Sequence, residues 1–220
     1  MLVIKNVKVR LVLKPILLLS CIPLVLLQQY AAAMLLLALA ALFLFLTGFD
    51  QKKTGTRRLI LVAVFVALSC IGRFIPFLKP MTALVILSGM YLGAEAGFLT
   101  GAFTALISNL YFGQGPWTPF QMLSWGVIGL AAGVLSKYLQ KSRLLLILFG
   151  AITGFLFSAI MDIWTVLWYK GYFRLDYYLA ALLTALPHMI LYMLGNVIFL
   201  ILFFRPFHEK MSRIKDKYGI

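Results

Sequence analysis

The sequence predicts an all-α integral membrane protein, a six-helix core preceded by an N-terminal hydrophobic hairpin. Three observations carry that reading. Hydrophobic residues make up 63% of the 220 and charged residues only 12%, whereas an ordinary soluble domain is about 25% charged. The apolar runs are continuous rather than alternating, which argues for helices over the strands of a barrel. They also recur at the length a crossing requires, about 20 apolar residues for about 30 Å of hydrocarbon.

On that ruler the chain opens with a hairpin, Leu11 to Gln28 and Tyr30 to Gly48. Residues 1–27 have the basic start and apolar core of a secretion signal. No small-residue cleavage site follows at Leu26-Leu27-Gln28, however, and a second apolar run comes at once. An uncleaved hairpin is therefore expected, with a basic connector completing a unit at residues 1–56. Residues 57–220 are expected to form the six-span core and a basic tail. Its spans read as Leu59–Ile71, Phe74–Leu92, Gly97–Phe112, Pro119–Tyr138, Leu144–Trp168 and Tyr178–Phe204. Gly93-Ala-Glu-Ala-Gly97 reads as one helix end, a short connection and a new start. Small residues four apart, Gly89, Gly93, Gly97 and Gly101, then Gly129 and Gly133, then Gly150 and Gly154, predict close helix approach in lipid.

The net charge of +14 raises nucleic acid as a partner, but its distribution points to a membrane surface. With the N-terminus inside, sixteen of the 20 Lys and Arg fall on the inner side. Only Arg73, Lys79, Lys170 and Arg174 fall outside, as the positive-inside rule expects. Both termini are then cytoplasmic in a multi-pass plasma-membrane protein, and Arg205 to Lys217 is an anchor on anionic lipid. Cys21 and Cys70 lie in apolar spans without metal-ligand spacing and read as packing residues. Neither catalytic nor metal-binding residues are expected. The chain lacks a G-x-S-x-G elbow, an H-E-x-x-H pair and a Walker loop. Any active transport must therefore draw its energy from a partner or an ion gradient.

Polar residues within the spans mark the candidate site, because ionisable groups in lipid are expensive and usually face a cavity or a partner. Asp162 stands with Ser158, Thr165 and Tyr169 on one helix face; Thr184, His188 and Tyr192 share another. Thr100, Thr104, Ser108 and Tyr111 form a third stripe beside Asn109. The three stripes could converge on one polar cavity in the outer half. The bland alternative is an Asp162–His188 or Asp162–Arg73 pair that fastens helices, with Thr and Ser bonded to their own helix carbonyls. The loop Phe112-Gly-Gln-Gly-Pro-Trp-Thr-Pro-Phe-Gln-Met122 and the turn after it add Gln114, Trp117, Gln121 and Trp125. Flat apolar surface combined with amides suits a partly aromatic solute. An interfacial aromatic belt is the competing account of the tryptophans, and suffices for Trp168. Arg73, with Pro76 and Pro80 behind it, begins a second stiff segment at the same mouth.

From about Arg57 to Phe204 the chain resembles the S component, the substrate-binding membrane subunit of an energy-coupling factor (ECF) vitamin transporter. The likeness rests on the six-span core, Ala63-x-x-x-Ala67, the Arg73–Pro80 loop, and Leu87-Ser-Gly-Met-Tyr-Leu-Gly93 leading into Gly97-Phe-Leu-Thr-Gly101. The Phe112–Met122 segment is its most specific part and Ala-x-x-x-Ala its least. The resemblance implies a protein that is not an enzyme and holds no covalent cofactor. It implies capture of a water-soluble vitamin from outside by outer loops and later spans, then delivery through a membrane coupling protein and two ABC ATPases that use ATP. It also implies that Ala63 and Ala67 face the coupling protein. The chain looks closest to a cobalamin-type S component; riboflavin, pyridoxine and queuosine-precursor types stay open. Outside the family, an ion-coupled secondary transporter with Asp162 and His188 as proton relay is the alternative.

Overall fold

The computed structural model describes residues 21–27, 29, 32–33, 35–36, 39–40, 55–76 and 78–218. Among them are eight helices and no strand: α1 (Cys21–Leu26), α2 (Gly55–Gly72), α3 (Met81–Leu92), α4 (Ala94–Phe112), α5 (Thr118–Val134), α6 (Ser136–Lys141), α7 (Arg143–Lys170) and α8 (Leu175–Tyr218). The expected N-terminal hairpin lies mostly outside the described residues. Of its described part, Leu24, Ala33 and Leu36 pack against the core.

Helix α3 is the centre of the bundle, and all twelve of its residues are buried. Twelve residues make about 18 Å of helix at 1.5 Å each, well short of the hydrocarbon thickness. The span expected from Phe74 therefore begins later. Pro76 and Pro80 keep residues 73–76 and 78–80 out of helix, because each proline lacks an N–H and disfavours helical geometry in the residue before it. Within lipid, α3's polar groups must be satisfied by the protein. Ser88 Oγ shares a 2.7 Å hydrogen bond with Thr100 Oγ1 on α4, and Thr82 Oγ1 another of 2.7 Å with Tyr192 OH on α8.

The turn from α3 to α4 is as tight as the sequence predicts, although α4 restarts at Ala94 rather than Gly97. Gly93 takes φ +97°, a left-handed conformation that favours glycine. Arg58, only 4% exposed, closes the turn. Its Nε donates to the Leu92 carbonyl at 2.6 Å, and its Nη2 lies 3.9 Å from the Glu95 carboxylate.

Glycine spacing explains how α3, α4 and α5 meet. A Cβ on Gly97 would strike the Gly129 carbonyl, one on Gly129 the Gly97 carbonyl, and one on Gly101 the Trp125 backbone. These helices touch backbone to backbone, the arrangement that small residues permit in lipid. A second glycine seam joins α7 to α8, where a Cβ on Gly154 would sit 2.9 Å from Met193 Cα.

Two further boundaries differ from expectation. The span expected over Pro119–Tyr138 breaks at Leu135, and α6 folds back beneath α3, where Gln140 Nε2 donates to the Met90 carbonyl at 2.9 Å. Helix α8 does not stop at Phe204 but continues through Pro206 to Tyr218. Phe207 and Ile214 pack against the core, with the Phe207 ring 6.1 Å from that of Phe65 on α2. Tertiary packing of an apolar face sustains a helix that local propensity would end. Helices α7 and α8 are long and apolar enough to cross a membrane, and 33% of each apolar window is buried inside the protein. The outward leucines, such as Leu183 at 67% exposure, are suited to lipid.

Candidate functional site

The polar residues singled out in the sequence gather where the C-terminal end of α4, the start of α5 and the Arg73 turn come together. Arg73 follows directly on α2. Its Nη1 donates to Ser108 Oγ at 2.6 Å and to Asn109 Oδ1 at 2.5 Å. Its guanidinium carbon lies 4.5 Å from the Phe112 ring centroid and 5.8 Å from that of Trp125. Such an arrangement places a delocalised cation against aromatic faces, the geometry that cation–π attraction favours.

Asn109 is fully buried and passes the network on. Its Nδ2 donates to Thr118 Oγ1 at 2.9 Å and to Gln121 Oε1 at 2.8 Å. Thr118 Oγ1 in turn donates to Gln114 Oε1 at 3.0 Å, and Gln114 Nε2 reaches back to the Leu106 carbonyl at 2.8 Å. The loop between α4 and α5 is thus fastened by its own amides. Gln114, which the sequence reading placed at a ligand, spends both ends of its side chain on the loop. Thr118 was not anticipated as a hub. The signal for it was its place before Pro119 at a helix start, where a side-chain oxygen commonly serves the first turn.

A second cluster adjoins the first through Trp125. That side chain is 2% exposed and stacks on Phe157 of α7 at 4.6 Å and 7°. Its Nε1 donates to Thr82 Oγ1 at 3.1 Å and to Tyr192 OH at 3.2 Å. Trp125 is an inner wall, not a rim residue. Trp117 meets Trp164 edge to face at 5.9 Å, which sets this turn of α7 level with the loop.

The stripes converge only in part. Tyr192 joins Trp125, and His188 stacks over Tyr192 with ring centroids 6.3 Å apart, but the His188 side chain is exposed. Tyr111 points away from the network. It is 74% exposed and packs with Phe74 and Phe112 in an aromatic surface patch. Thr104, Thr165 and Thr184 bond their own helix carbonyls. Neither expected pair forms: the ion pairs among the described residues do not join Asp162 to His188 or to Arg73. Asp162 Oδ2 and Trp164 Nε1 are instead buried without hydrogen-bond partners among the described residues. Buried polar atoms are nearly always paired, so two orphans so close in sequence call for an explanation.

Ala63 and Ala67 lie away from this site. Both are exposed on α2 and line an apolar groove of about 330 Å³ with Val62, Val66, Leu99 and Phe103. Ala63 and Ala67 are the small residues of this otherwise bulky apolar lining, the type that lets another helix approach closely in lipid.

No curated protein and no solved structure matches the chain. A family model described as "ECF transporter, substrate-specific component" matches residues 57–214, from just inside α2 to the last turns of α8. With both polar clusters and the Ala63/Ala67 groove falling inside those limits, the chain belongs to the family of ECF transporter substrate-specific components: it is a membrane transporter subunit and not an enzyme.

Proposed function

We propose that this S component captures a water-soluble vitamin from outside, at the end of the bundle formed by Arg73, the α4–α5 loop and the neighbouring turns of α7 and α8. Cobalamin is the first choice. The observation that carries the reading is a half-buried Arg73 beside Phe112 and Trp125, with Trp125 tied in turn to Tyr192; the partnerless Asp162 Oδ2 on α7 adds to it. Polar groups left unspent beside apolar walls are what a solute site needs. Riboflavin, pyridoxine and a queuosine precursor are the competing solutes within the family. Delivery then runs through a coupling protein and two ATP-using ABC ATPases, the module that family membership implies, with both termini on the cytoplasmic side. The Ala63/Ala67 groove is the surface offered to the coupling protein.

The partnerless Asp162 carboxylate also favours a second reading, an ion-coupled transporter in which Asp162 and His188 carry a proton. The two readings separate cleanly. An S component binds its vitamin in isolation and supports uptake only with partner subunits. The alternative predicts gradient-driven uptake by this chain alone, abolished in Asp162→Asn.

A thermal-shift panel of water-soluble vitamins on the detergent-purified chain tests the primary reading. A solute at about 100 times its dissociation constant adds about 2.7 kcal/mol. A shift with riboflavin but none with cobalamin would replace the substrate and keep the function. For the groove, Ala63→Leu combined with Ala67→Leu is expected to abolish module-dependent uptake while vitamin binding persists. Loss of both would show that these alanines only support the fold.

A further inference from the structure

Arg73 is bonded on one side only. Nη1 spends its hydrogens on Ser108 and Asn109, both neutral acceptors, while Nε and Nη2 make no hydrogen bond among the described residues. The ion pairs among those residues, Arg58–Glu95, Arg174–Asp176 and Arg205–Glu209, do not include it either. A guanidinium has five N–H donors in a planar fork and cannot shed its charge in a protein. Taking such a charge out of water without a counter-charge is costly. The neighbours nevertheless hold it in place: two hydrogen bonds fix one edge, and the Phe112 and Trp125 rings lie near the guanidinium carbon. Asn109 is itself locked by Thr118 and Gln121. The fork is oriented in advance, and its remaining donors are the pair that bind carboxylate and phosphate oxygens two at a time.

We infer that the solute carries an oxyanion, a carboxylate or a phosphate oxygen pair, and that the Nε/Nη2 edge of Arg73 receives it. This rests on the reading of the Arg73 end as the vitamin site. Arg73 then selects by charge, while the exposed Phe112 ring supplies apolar surface beside it. Cobalamin, with its phosphodiester, satisfies the requirement; riboflavin and pyridoxine, which are uncharged, do not.

The test uses the full chain in a neutral detergent and matched probes that differ at the anion, biotin against biotinamide and pantothenate against panthenol, with cobalamin against cobinamide, which lacks the whole nucleotide loop, as a coarser comparison. Riboflavin, pyridoxine and phosphatidylglycerol complete the panel. One anionic vitamin is expected to raise the melting temperature, with its uncharged counterpart bound roughly 10- to 100-fold more weakly, the range for losing a hydrogen bond to a charged group. Arg73→Gln should weaken the anionic probe by the same factor and leave the uncharged one unaffected. The matched probes on the unchanged protein decide the matter even if Arg73→Gln does not fold. Equal binding of both members of a pair, or selective binding of riboflavin or pyridoxine, overturns the oxyanion and leaves the vitamin-capture reading standing. An Arg73-dependent response to phosphatidylglycerol alone assigns the fork to a lipid headgroup and overturns the vitamin oxyanion. No response to any probe overturns the proposal.

Discussion

The α3–α4–α5 packet and the α7–α8 pair are both glycine-seamed helical assemblies, yet they are built to opposite standards. In the packet, α3 is buried on every side, backbones touch at Gly97 and Gly129, and Ser88, Thr100 and Thr104 are all hydrogen-bonded. In the pair, only 33% of each apolar window is buried. Among the described residues, three of the four orphan buried polar atoms also lie there: Asp162 Oδ2, Trp164 Nε1 and Asn196 Oδ1, with Ser69 Oγ the exception on α2. Unsatisfied groups have collected where packing is looser, and local opening is cheapest where contacts are few. In the reading proposed above, the packet is the scaffold and the pair the surface that answers a ligand. Trp125 joins them, rooted in α5, hydrogen-bonded to α3 and stacked on α7.

The largest expected effect contrasts one glycine from each seam. Gly97→Ala places a methyl group against the Gly129 carbonyl, which cannot move without parting α4 from α5. Its loss should reach about 3 kcal/mol, the upper range for overpacking a tight core. Gly150→Ala meets the end of the Leu200 side chain, which can turn aside, and should cost under about 1 kcal/mol. Equal losses in detergent melting would erase the distinction between packet and pair.

Trp125→Phe probes the junction. It keeps an aromatic ring on Phe157 and removes the indole N–H, while Thr82 and Tyr192 still bond each other at 2.7 Å. A loss of about 1 kcal/mol is expected, one net hydrogen bond. A loss several times larger would mean that the indole holds the two halves together. The smallest effect is that of Leu183→Ala on the outward face of α8, within about 0.5 kcal/mol, as for most surface changes. A greater loss there would show that this face is covered in the folded protein.

Much of this arrangement was legible before any coordinates. Continuous apolar runs placed the helices, and the four-residue glycine spacing identified the seams because backbone contact in lipid leaves few other solutions. The Gly93 turn was legible because glycine is the usual residue where a helix ends in a left-handed conformation. The length of α8 was not, since the packing of Phe207 and Ile214 that carries it past Pro206 is non-local. At the site, sequence named Arg73, Asn109, Gln114 and Gln121 but could not tell that their polar groups bond one another. Nor could it orient Tyr111, which lies only two residues beyond Asn109 yet faces outward, since one helical turn contains every direction. Asp162 and His188 share no bond because matching stripes on two helices do not fix the rotation of those helices about their axes.

The reach of α8 has a mechanical consequence. Arg174 just precedes it and Arg205 lies 31 positions further on, a separation of about 46 Å at helical rise. That is close to the full thickness of a bilayer including its headgroups, about 40–45 Å. In the topology proposed above, this helix would work as a gauge rod with its cationic ends at the two polar layers. Any large rocking of the protein would then draw a cation toward hydrocarbon or thin the bilayer around it. The reluctance of the molecule to tip would then be written into the distance between two arginines, and tuned by the lipids that face them.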